Sequence, residues 1–149
     1  FSASGSLAQQ LTMPEARGTY APQFSHIQAL EVREKYAEAL AAWMAGATEL
    51  PGNPSPLLRA ADLQLRQLHD ATAALELYDR ARRLPGIRAE QVQYALQKII
   101  DIHLAPGGDA RRAMVELRRF VTMFPVGREA DGARAALARL KEQTRDDAG

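Results

Sequence analysis

From residue 24 onward apolar side chains recur at steps of three and four, the spacing that gathers them on one face of a helix. Phe24, Ile27, Ala29 and Leu30 make such a stripe over a first helix, residues 24–35, for which Ser25 is the expected N-cap. A partner helix over 37–50 turns Leu40, Trp43 and Ala47 toward it. The PGNPSP run at 51–56 holds three prolines and the local hydrogen-bonders Asn53 and Ser55, so it predicts a turn rather than helix. A third helix, 57–68, carries Leu58, Ala61, Leu65 and Leu68; Asp70 then caps a fourth, 71–84, with Ala74, Leu75, Tyr78 and Ala81 inward. Pro85 and Gly86 stop it. The fifth helix opens at about Arg88 and buries Val92, Ala95, Leu96, Ile99 and Ile102. Beyond the PGGD turn at 106–109, Asp109 caps a sixth, 110–124, with Ala113, Met114, Leu117, Phe120 and Val121 inward. The seventh, 128–143, relies on Ala130, Ala133 and Ala136 with Leu137 and Leu140 and is otherwise charged.

One object within this pattern occurs three times. Ala39, Trp43, Gly46 and Pro51 are followed by Ala74, Tyr78, Ala81 and Pro85, and then by Ala113, Leu117, Phe120 and Pro125. Each set is a helix face of small, bulky and small or bulky residues ended by a proline, which cannot continue a helix. The first members lie 35 and then 39 residues apart, leaving room for a second helix and two turns per repeat. Periods of this length mark helical solenoids.

A small residue, a bulky one a turn later, a second small one and a closing proline resemble the tetratricopeptide repeat, most closely in KYAEALAAWMAGATELPGNP at 35–54. The likeness extends over about 24–143. Leu117 and Phe120 depart from it, and Pro106, Gly107 and Gly108 lengthen the turn inside the third repeat. It implies an all-α solenoid of stacked helical hairpins with about seven helices: repeats at 24–53, 54–86 and 87–126, a capping helix at 127–143 and a polar tail at 144–149 expected to fray. Trp43, Tyr78 and Leu117 should then occupy equivalent interior places.

Residues 1–23 contain Pro14, Gly18 and Pro22 and read as an extended arm, in which Leu7, Leu11, Met13 and Tyr20 are candidates for docking onto the solenoid or a partner. FSASGSLAQQ lacks the basic and long apolar regions of an intact signal peptide. A start at phenylalanine is compatible with a removed signal peptide or an upstream anchor. The absence of cysteine removes disulfides, thiolate zinc sites and cysteine nucleophiles. No stretch reaches the roughly 18 apolar residues of a membrane span. Sixteen arginines against three lysines, with abundant alanine, suit a GC-rich bacterial genome.

Candidates for chemistry are few, and the expectation is a protein that is not an enzyme and holds neither cofactor nor metal. His26, His69 and His103 are scattered, and none belongs to a two-histidine helical metal motif. His69 and His103 stand 34 residues apart, about one repeat, and read as cations at helix C-termini. PGGD lacks the lysine and hydroxyl residue of a phosphate loop. The carboxylates Glu31, Glu34, Asp62 and Asp70 read as solvated faces.

Charge is uneven beneath a net +1. Residues 1–79 hold five basic against nine acidic side chains, and 80–141 hold thirteen against six. An arginine-rich half can steer an acidic protein, anionic lipid or nucleic acid. Nucleic acid is the least expected, because the interleaved aromatics of a single-strand binder are missing. A solenoid of this kind lines its groove with the first helix of each pair, which makes Arg59, Leu63, Arg66, Gln67, Gln93, Gln97, Lys98 and Asp101 the candidate partner-binding residues. Domains of this family that clamp chaperone C-termini set lysine and asparagine at fixed groove positions; here Arg59 has no matching asparagines, so that specificity is not carried over. The expected function is an adaptor or scaffold holding a protein partner through the groove or the arm. A structural subunit of a larger, membrane-bound complex and an auxiliary domain of an enzyme are the alternatives. The Phe124-Pro125 stop and alanine-arginine last helix are similar to repeat domains of bacterial cell-envelope assembly proteins, which favours the envelope over the cytoplasm.

Overall fold

The computed structural model describes residues 24–148, all helices and short connections with no strand among them. The residues Leu7, Leu11, Met13 and Tyr20 of the expected arm lie outside the described residues. Residues 24–87 and 88–148 form two compact units.

The first unit holds α1 (Ser25–Val32), α2 (Tyr36–Glu49), α3 (Ser55–Arg66) and α4 (Ala71–Arg82). Consecutive helices pack as hairpins, so α3 is covered by α2 on one side and α4 on the other. This double cover explains its wide buried arc of Leu57, Leu58, Ala60, Ala61 and Leu63. Leu65 is only half-buried and Leu68 is exposed, although the periodicity placed both inward. The helix also begins earlier than its prolines suggest. Pro56 sits in the first turn, where its missing N–H would have had no partner anyway, and Asn53 Oδ1 accepts from the Ser55 N–H at 3.0 Å.

Two boundaries of the first hairpin also shift. Phe24, not Ser25, occupies the N-cap of α1 and makes no side-chain cap bond; its ring is buried against Trp43 instead. Ala29 faces solvent. The helix stops at Val32 because Glu34 takes a left-handed φ of 59°. The Lys35 N–H then reaches back to the Leu30 carbonyl at 2.9 Å and the Glu34 N–H to the Glu31 carbonyl at 2.9 Å, which together close the helix end.

The second unit holds α5 (Ala89–Leu104), α6 (Ala110–Met123) and α7 (Arg128–Ala148), with α6 packed on both α5 and α7. Asp109 caps α6 by accepting the Arg112 N–H at 3.1 Å, as Asp70 caps α4 by accepting that of Ala73 at 3.0 Å. The capping helix does not end at Gln143. It runs on to Ala148, so the tail expected to fray from 144 is helical. Thr144 supplies the anchor: its hydroxyl donates to the Leu140 carbonyl at 2.8 Å and sits 3.7 Å from Met114 Sδ on α6. The exposed Glu142–Arg145 pair one turn apart adds a little.

All nine helical positions of the repeated motif are buried. Ala39, Ala74 and Ala113 have no exposed surface, and Trp43, Tyr78 and Leu117 show at most 2%. Gly46, Ala81 and Phe120 complete the set. Helices α2, α4 and α6 end at Glu49, Arg82 and Met123, just before Pro51, Pro85 and Pro125. The alanines admit a neighbouring helix closely, and the bulky residue one turn on fills the space between the pair. Truncating a wedge of Trp43's size to alanine typically costs about 3–5 kcal/mol.

Candidate partner-binding surface

Trp43 anchors the polar geometry of the first unit. Its carbon face packs against the Phe24 ring, centroids 5.3 Å apart, while burial obliges the indole N–H to find an acceptor. Glu31 provides it, with Nε1 donating to Oε2 at 2.6 Å. Arg59 of α3 also lies over the indole, its Cζ 5.0 Å from the Trp43 ring centre and its Nη2 3.8 Å from the same Glu31 oxygen. One tryptophan thus ties α1, α2 and α3 together through a carboxylate and a guanidinium.

The second hairpin uses the same device. The Tyr78 hydroxyl of α4 donates to Asp62 Oδ1 of α3. Both aromatics of the motif therefore reach back to an acid on the preceding helix, across 12 and 16 residues, the difference being one helical turn. Leu117 has no polar atom and ends the series. Its neighbour Glu116 is the buried carboxylate of the second unit, held by Arg119 Nη1 at 2.5 Å and Arg112 Nε at 3.9 Å. Glu31 and Asp62, which the sequence alone presented as solvated, are structural acceptors. The available signal was the need of a buried indole or phenol for a partner.

The expected groove residues separate accordingly. On α3, Leu63 is only 3% exposed and belongs to the core, because that helix is covered on both sides. Arg59 is half-buried in the Trp43 node, so it acts as a brace rather than as a free contact residue. Arg66 and Gln67 are exposed. On α5, in the second unit, Gln97 and Asp101 are exposed and joined by a 3.0 Å hydrogen bond. Lys98 lies 5.4 Å from the Tyr94 ring centre and Gln93 is half-buried.

The other candidates are turn and surface residues. His26 is exposed, and His69 follows α3 with a left-handed φ of 54°. His103 is half-buried in the last turn of α5. Gly107 has φ 84°, and a Cβ on Gly108 would lie 2.2 Å from the His103 carbonyl oxygen, so the PGGD glycines serve a tight reversal. Among the described residues no group of three or more His, Asp or Glu side chains is placed to hold a metal ion. No described helix is long and apolar enough to cross a membrane.

Comparison with models of known protein families found none that matches the chain, and comparison with curated proteins found no match either.

Proposed function

We propose that this chain is a protein-interaction module of tetratricopeptide type, without catalysis of its own, which holds a protein partner on the outward face of α3. One observation supports this most. Although α3 is covered on both sides, Arg59, Asp62 and Arg66 follow one another along its uncovered face at steps of three and four. The first two are fixed from behind by Trp43 and Tyr78. A face held this firmly loses little conformational freedom on binding, which favours affinity. Arg66 and Gln67 extend it with accessible donors.

The test is co-purification of the native chain with its partner, repeated with Arg66→Glu combined with Gln67→Glu. Both side chains lie outside the cores, so the fold should be retained and the partner lost. A correctly folded double variant that keeps its partner contradicts the reading. Arg59→Glu is the wrong probe. It would set a second carboxylate beside Glu31 and report on folding.

A further inference from the structure

The uncovered face of α6 differs from those of α3 and α5. Arg111, Val115, Arg118 and Thr122 follow one another at steps of four, three and four, and all four are exposed. Neither Arg111 nor Arg118 has a carboxylate within 4.0 Å among the described residues. Beside them Arg112 and Arg119 are drawn onto Glu116, whose side chain is 3% exposed. Burying a carboxylate is costly, and an apolar residue of similar size would often serve stability as well. What Glu116 adds is placement: two guanidinium groups are held along the helix next to two that are free.

We propose that this face docks an acidic amphipathic helix of a partner protein. Arg111 and Arg118 are one heptad apart, about 10.5 Å along the axis, the separation of two carboxylates seven residues apart on a facing helix. An apolar side chain midway between those carboxylates meets Val115. Guanidinium groups favour this partner because their planar forks bind carboxylates with two parallel hydrogen bonds. A nucleic acid strand would want aromatic stacking, and the exposed face of α6 carries no aromatic ring. A lipid surface would want a broad apolar face, and here Val115 stands alone among arginines. This site is on a different helix from the proposed α3 surface and does not depend on it.

The experiment titrates the isotope-labelled chain with an alanine-rich helical peptide carrying two glutamates one heptad apart and a leucine between them. Saturable shifts of the Arg111 and Arg118 Nε–H resonances are expected, with affinity falling roughly fivefold or more between low and physiological salt. Arg111→Glu with Arg118→Glu should abolish binding, read from the backbone amide resonances of α6. The milder Arg111→Gln with Arg118→Gln should abolish the same backbone amide shifts, should the charge reversal disturb the helix. Arg66→Glu with Gln67→Glu should leave peptide binding intact, which separates this site from the α3 surface. Equal binding of a peptide whose glutamates are moved off one face would overturn the proposal. So would tighter binding to phosphatidylserine vesicles or to a single-stranded oligonucleotide.

Discussion

The Trp43 indole N–H donates to Glu31 Oε2 at 2.6 Å, so the one tryptophan of the chain is both a core wedge and a hydrogen-bond donor. Removing the acceptor leaves a buried donor unpaired, whereas removing both partners leaves a merely smaller contact. Glu31→Ala should therefore cost about 1–3 kcal/mol. Glu31→Ala added to Trp43→Phe should cost less than the sum of the single changes, by at least about 0.5 kcal/mol. Urea denaturation of the four proteins measures this. Strict additivity would mean that the bond contributes nothing.

Gly46 and Glu34 are each a residue that the backbone would exchange. Gly46 is inside α2, and a Cβ there would meet Phe24 Cε1 at 3.5 Å and Pro56 at 3.7 Å, which is ordinary contact. Gly46→Ala should stabilise by about 0.5–1 kcal/mol through helix propensity alone. Glu34 holds a left-handed conformation that suits glycine, so Glu34→Gly should stabilise by a similar amount, about 1 kcal/mol. Thermal unfolding midpoints check both, and the expected direction is upward in each.

The end of α7 gives a third prediction. Deleting residues 144–149 removes the Thr144 hydroxyl from Leu140 and its contact with Met114. The midpoint in urea should fall by the equivalent of about 1 kcal/mol. Thr144→Val, which keeps the bulk and removes the hydroxyl, should account for part of that loss. An unchanged midpoint for the truncated chain would return these residues to the status of a free tail.

The number and order of the helices were legible in the sequence because the stripes are strongly periodic and prolines follow α2, α4 and α6. The buried motif residues were legible for the same reason. Periodicity finds one face, however, and α3 has two. Periodicity alone therefore places Leu63 on the surface and Leu65 and Leu68 in the core. Pro56 looked like a breaker because a proline in the first turn cannot be told from one in a loop without knowing where the helix starts. Arg59 looked available since its partners, Trp43 and Glu31, lie 16 and 28 residues earlier in the chain. The fate of Glu116 was hidden too: nothing local distinguishes a buried glutamate from the solvated ones around it. The last turns of α7 read as a tail because a polar composition resembles a fraying end unless the Met114 contact is known.

The three motif alanines, Ala39, Ala74 and Ala113, are closed interior positions, each with no exposed surface in the folded chain. The direct measurement is the urea midpoint of Ala39→Leu, Ala74→Leu and Ala113→Leu beside the exposed control Ala41→Leu. Overfilling a closed core position costs about 1–3 kcal/mol, and a surface change stays within about 0.5 kcal/mol. All three motif variants should lose stability by the larger amount while the control does not. If any one of the three behaves like Ala41→Leu, the repeated hairpin is not the unit from which this protein is built.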